Sequence, residues 1–220
     1  MATRSTSRRR YLQLGAGLGA VLTGCLGIGD DPPPTTGIEE GFEDGLSPWE
    51  QGADVPEDPN DPGHPVAWRI SRSTAQSAAG GASLRLALDG SQDDGTIWAY
   101  RRLPVTPGHA YEISMRAEAW SPSESFNTIA HLVMYAGTEP PTAEESFPSP
   151  GTNSSGAGVQ PAGGLREPLN QVEGWRPYSF TWRTPRLDTD AVIVAVGISA
   201  VWETGMTYFV DEVRATAVPT

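Results

Sequence analysis

The chain has 220 residues, enough for one domain with a sizeable core plus appendages. Its 20 Pro and 25 Gly fall between apolar runs, which suits an all-β fold with many turns. All 15 basic residues are Arg; setting aside Arg4, Arg8, Arg9 and Arg10 leaves 11 against 27 acids, about −16, which argues against nucleic acid and other polyanions as partners.

Residues 1–24 read as an export signal. A basic start is followed by a weakly apolar run from Leu12 to Leu22 without an acid, then by small residues before a cut site. The string SRRRYLQ resembles a twin-arginine signal. LTGC, ending at Cys25, resembles a lipobox, in which the Cys becomes the lipid-modified first residue of the mature chain. The alternative is an uncleaved anchor, for which Tyr11 to Ile28 is short and holds five Gly. The first reading places the protein at the extracellular face of the cell membrane, touching the membrane through its lipid alone. Absence of Lys and excess of acid resemble exported proteins of salt-loving archaea, where salt screens self-repulsion; an ordinary acidic secreted protein is the plainer alternative. Cys25 is the only Cys, so no disulfide forms within the domain.

Residues 25–37 form an acidic, Pro-rich tether, and 38–220 form the domain. Alternating patterns predict about nine strands: Gly41–Leu46, Val66–Ile70, Leu84–Leu88, Thr96–Leu103, Tyr111–Trp120, Thr128–Ala136, Tyr178–Arg183, Ala191–Trp202 and Thr207–Val218. With no helical periodicity, they imply an antiparallel β-sandwich or jelly roll. The segment 137–174 is rich in Pro, Gly and Ser and reads as a long flexible insertion, a loose flap or functional loop. It contains Asn153-Ser154-Ser155, a glycosylation sequon at Asn153.

In the closing strand, strict alternation puts Phe209, Asp211, Val213 and Ala215 on one face. Asp211 on an apolar face needs a partner, because an unpaired buried charge is too costly. An ion pair to Arg69 or Arg85 would serve, and so would a metal.

Enzyme signatures are missing: there is no HExxH, GxSxG, P-loop or paired CxxC. His64, His109 and His131 lack ligand spacing, although a carboxylate pair could hide among the acids. The aromatic pattern says more. Trp98 and Tyr100 share a face of one strand; Arg116, Glu118 and Trp120 share the polar face of the next; His131 and Tyr135 share a face of the third. In one sheet, these seven would make an outer face of rings interleaved with charges, which is what binds sugars: rings cover C–H faces and charged groups bond hydroxyls. The alternative puts Trp98 and Tyr100 in a second hydrophobic layer, or under the long loop.

From Gly41 onward the order of features resembles carbohydrate-binding modules of the family 4/9 type, among the galactose-binding-like jelly rolls. The matching pieces are GFEDGLSPWE, GGASLRL, VTPGHAYEISMRAEAW, YSFTWRTP and YFVDEV. The resemblance implies a non-catalytic module that binds a glycan or polysaccharide in a cleft on one sheet. It also implies a structural Ca²⁺ held by Glu43 and Asp211, with carbonyls from the Ser77–Ala82 turn. The long insertion departs from the pattern. Three functions stay open: a surface-tethered carbohydrate-binding lipoprotein, an adhesive jelly-roll domain that contacts proteins, and a glycan-active enzyme.

Overall fold

The computed structural model describes residues 32–91, 94–122, 130–169, 174–201 and 205–220. The signal, Cys25 and the first part of the tether lie outside them. The described residues form twelve strands and one short 3-10 turn, Glu144–Ser146.

The first sheet runs β10 (Arg176–Arg183), β6 (Tyr111–Trp120), β12 (Met206–Pro219), β4 (Ser83–Leu88), β3 (Trp68–Ser73), and β1 (Thr36–Glu40) also pairs with β12. The second runs β2 (Glu50–Asp54), β5 (Gly95–Pro104), β11 (Ala191–Ala200), β7 (Ala130–Gly137), β9 (Gly163–Pro168), β8 (Thr152–Asn153). All the pairings are antiparallel. The inner faces meet in one core, with Ile113, Met115 and Ala117 of β6, Ile97 and Leu103 of β5, and Val192 to Ile198 at alternate positions of β11. The sandwich predicted from alternation is the fold.

Three differences from the sequence reading matter. The strand count is twelve, because β2, β8 and β9 have no alternating apolar signature. EQGAD in β2 becomes a strand by pairing with β5, where Gly52 faces Trp98 and leaves room for its indole. GGLREP in β9 reads as a turn, yet its glycines are there because Trp182 and the Met134 backbone come too close for a Cβ. The first strand also lies earlier than expected, at Thr36–Glu40 rather than Gly41–Leu46.

Segment 137–174 is therefore built into the sheet over its described part. β9 extends the second sheet beyond β7, and Trp182 Nε1 donates to the Gln160 carbonyl at 2.8 Å. Ser154 Oγ donates to the Thr181 carbonyl at 2.8 Å, tying the segment to β10 of the other sheet. Backbone pairing holds it, which periodicity does not reveal.

The third difference is in β12. A β-bulge interrupts its register with β6 between Asp211 and Arg214, and Glu212 takes φ 49°. A bulge adds a residue and switches the alternation. Tyr208 and Val210 face the core before it, and Val213, Ala215 and Ala217 after it. Phe209 is on the outer face, opposite the one alternation assigned with Val213.

Candidate functional site

The seven sugar-face candidates divide between two sheets. Trp98, Tyr100, His131 and Tyr135 lie on the outer face of the second; Arg116, Glu118 and Trp120 lie on the outer face of the first. They make no common surface.

On the second sheet the insertion covers the rings. Trp98 is 1% exposed and sits at paired positions between Gly52 and Gly197 on its two neighbouring strands. Phe147 of the insertion packs edge-on against both Trp98 (centroids 5.4 Å) and Tyr135 (6.1 Å). These residues, with Val133 and Ala195, form a second small hydrophobic cluster. Tyr100 is at its margin, its hydroxyl donating to Glu50 Oε2 at 2.9 Å. The layer under the loop is the arrangement found.

A polar cluster pins this insertion down. Arg166 of β9 pairs with Glu144 at 2.9 Å and donates to Ser199 Oγ at 2.7 Å. Glu144 also accepts from Thr96 at 2.5 Å and from Ser199 at 3.2 Å. Burial pushes the Glu144 carboxyl upward, but the bonds from Thr96 and Arg166, the Arg166 charge and the Ser199 bond bring it below its usual range. His131, paired across β7 and β11 with Ser199, is held below its usual value by burial and by the Arg166 charge, which outweigh Glu144. Its Nδ1 is buried without a hydrogen-bond partner among the described residues.

The first sheet has the more open arrangement. Trp120 ends β6, stacked on Phe209 of β12 (centroids 6.0 Å, planes 25° apart) and next to Trp175 (6.1 Å, 43°). Three rings thus cross adjacent strands on one outer face, with Trp120 and Trp175 half-buried. Arg85 is directly opposite Phe209, and the Arg116–Glu118 pair at 2.6 Å lies farther along β6. Farther along the same face, toward the other end of β6, a groove of about 280 Å³ is lined by Arg116, Arg214, Ser114, Thr181, Thr216 and Ser155, among others. Sequence reading missed Phe209, because it assumed an unbroken β12, and Trp175, which follows the long Gly-rich segment. The GW step before the YSFTW strand was the available signal for Trp175.

Glu43 and Asp211 do converge on the Ser77–Ala82 turn, but through its amides. Asp211 Oδ2 accepts from the N–H of Ala78 (2.8 Å) and Ala79 (3.1 Å), and Oδ1 accepts from Glu212 at 2.7 Å. Glu43 Oε1 accepts from the N–H of Gly81 (2.6 Å) and Ala82 (3.3 Å). Gly80, at φ 64°, leaves the space that the Glu43 carboxylate fills. The ion pair to Arg69 or Arg85 is not made; Arg85 donates to Thr207 at 3.0 Å instead. Burial lifts the Asp211 carboxyl above its usual range, against the pull of the three amides. Among the described residues no three His, Cys, Asp or Glu gather as a metal cluster. An ion here would draw on these two carboxylates and on carbonyls, an all-oxygen set that suits a hard cation such as Ca²⁺.

Asn153 of β8 is exposed, and its side-chain amide donates to Glu167 (2.9 Å) and to the Ser179 carbonyl (3.1 Å). Glycan attachment there would have to release both bonds.

No protein-family model matches the sequence, and no curated protein matches it. Solved structures with similar folds include a carbohydrate-binding module of the β-sandwich superfamily (15% identity, TM-score 0.46, 79% of this chain and 59% of that one). TmCBM61 in complex with β-1,4-galactotriose is similar at 13% identity and TM-score 0.42, over 80% of this chain and 92% of that one. So is a Stig cyclase from Fischerella sp. TAU, at 12% identity and TM-score 0.45, over 79% and 86%. At these values no ligand or activity carries over to this chain.

Proposed function

We propose that this protein is a non-catalytic carbohydrate-binding module, exported and held at the outer face of the cell membrane by a lipid on Cys25. The saccharide lies across the outer face of the first sheet, its rings stacked on Trp120 and Trp175. The observation that carries this reading is the run Trp175–Trp120–Phe209, three rings on one face with charged groups alongside. Partly exposed aromatic planes cover sugar C–H faces, while Arg and Glu bond the hydroxyls around them. Trp98 and Tyr135 support the scaffold and do not touch the sugar.

The Glu144–Arg166–His131–Ser199 cluster is the feature an enzyme reading would need. In our reading it is a structural pin, because Ser199 has no exposure and its hydroxyl bonds to Glu144 and Arg166 rather than to His131. Calcium belongs to the same proposal: Glu43 and Asp211 would hold it, and its charge would offset two carboxylates that only amides now meet.

The deciding experiment is a glycan-array screen of the full chain in high salt, with Trp120→Ala and Trp98→Ala alongside. Binding that Trp120→Ala abolishes and Trp98→Ala spares is the expected result. Binding to no saccharide, by a folded chain that captures a surface protein through the same face, favours the adhesive reading. For the anchor, Cys25→Ser should leave unprocessed precursor or release protein to the medium; unchanged mass and membrane fraction would refute lipidation.

A further inference from the structure

Arg116 of β6 and Arg214 of β12 are directly opposed in register. Like charges at facing positions destabilise a sheet unless something else engages them. Each bonds one acid on its own strand, Arg116 to Glu118 at 2.6 Å and Arg214 to Glu212 at 2.8 Å. In each case one terminal nitrogen makes the contact, and both side chains are about half exposed (55% and 54%). A guanidinium carries five N–H donors, so both keep free donor edges.

Those two arginines line the groove between β10, β6 and β12. Its other polar lining is hydroxyl: Ser114, Ser155, Ser179, Thr181 and Thr216. No residue lining the groove is acidic, in a chain with 27 acids against 15 arginines. Two arginines among hydroxyls, each held by a Glu through one terminal nitrogen with its other donors free, form a receptor for a planar or tetrahedral anion, and arginine binds such groups bidentately. Beyond the groove, Trp120 lies on the same face of β6, four positions past Arg116 and two past Glu118.

We propose that the saccharide bound on this face is acidic, its carboxylate or sulfate group seated between Arg116 and Arg214 while a sugar farther along the same oligosaccharide, about 13 Å away along β6, stacks on Trp120. This rests on the carbohydrate reading above and names its ligand class. It also revises the expectation, drawn from net charge, that polyanions are disfavoured. Net charge acts at long range, and at about 1 M salt the screening length falls to roughly 3 Å. Repulsion from the acidic surface then vanishes, and the contact bonds in the groove remain.

The test measures affinity of the full chain in detergent for three probes at about 1 M salt: an oligogalacturonate, a sulfated galactan oligosaccharide and a neutral galacto-oligosaccharide. Variants are Arg116→Gln, Arg214→Gln and, as a control on the other sheet, Arg102→Gln. We expect at least one acidic probe to bind better than the neutral one, with at least about a tenfold loss in each groove variant. Melting and Arg102→Gln binding should match wild type. The acidic probe that responds identifies the anion as carboxylate or sulfate. Equal binding of the neutral probe, untouched by the groove variants, would overturn the acidic ligand and leave the ring platform standing. Equal loss in Arg102→Gln would also overturn it, as diffuse charge attraction. No saccharide bound by folded wild type, here or on the array, would remove the carbohydrate reading itself.

Discussion

The carboxylate of Asp211 accepts the backbone N–H of Ala78 at 2.8 Å, joining the closing strand to a turn 133 residues earlier. Ala79 adds a second bond, and Glu43 holds the far side of the same turn. Two acids from the two ends of the domain thus cap one loop. Asp211→Ala takes the acceptor from the Ala78 and Ala79 amides; both residues are exposed, so water can reach the freed N–H groups and the loss is that of bonds to a charged acceptor. We expect about 1.5–3 kcal/mol lost in denaturant unfolding. A loss below about 0.5 kcal/mol would mean the turn does not need the carboxylate.

The same site discriminates ion from amide. With Ca²⁺ present, a chelator should lower the melting temperature of wild type but leave Asp211→Asn unchanged. Identical wild-type melting with and without chelator, in protein shown to be folded and metal-free, leaves the amides as the sole partners.

Trp98 and Trp120 should behave oppositely. Trp98→Ala empties a site enclosed by Gly52, Gly197 and Phe147, so about 3–5 kcal/mol of stability should go, with affinity retained by the folded fraction. Trp120→Ala removes a half-buried ring and its stacking on Phe209, costing about 1 kcal/mol of stability beyond area burial but most of the affinity. The reverse pattern would move the sugar face to the second sheet.

His131 sets a pH dependence. Its folded value lies below its ordinary one, because burial and Arg166 oppose the imidazolium. Well above its ordinary value of 6.5 the group is neutral in both states and contributes no slope. As pH falls through the unfolded value, the unfolded chain takes up the proton first, so stability drops on acidification. Melting should therefore fall between about pH 7 and pH 5.5, and His131→Gln should flatten that slope. An unchanged slope in the variant would assign it to other groups.

Glu144 and Arg166 test the pin. Glu144→Ala leaves Arg166, 7% exposed, without its carboxylate, and breaking a buried pair in this way costs about 3–5 kcal/mol. Glu144→Gln with Arg166→Met should recover much of that loss, since no charge is stranded. If the double variant is as unstable as Glu144→Ala, packing rather than charge holds the insertion.

Alternation determined a good deal by itself. Tyr111, Ile113, Met115 and Ala117 read as the inner face of β6, and they are core; Leu84, Leu86 and Leu88 read the same way in β4. A period of two follows from the pleat, so side-chain direction is local information, and a run of such segments between Pro and Gly turns means a sandwich. The residues of the outer faces were legible too: Trp120 beside Glu118 and Arg116, and Trp98 beside Tyr100. Which outer face each belongs to was not. Strand order is a non-local property, and it set β6 in one sheet and β5 and β7 in the other. The bulge at Asp211 moved Phe209 to the outside, and only the pairing of β12 with β6 records it. Whether a ring is a platform or part of a layer depends on what packs above it. The insertion that read as loose lays Phe147 over Trp98, and the described residues leave Trp120 half-buried beside Trp175. Away from the bulge, sequence determined which side chains leave the core; long-range pairing decided which of them meet, and which stay open to a ligand.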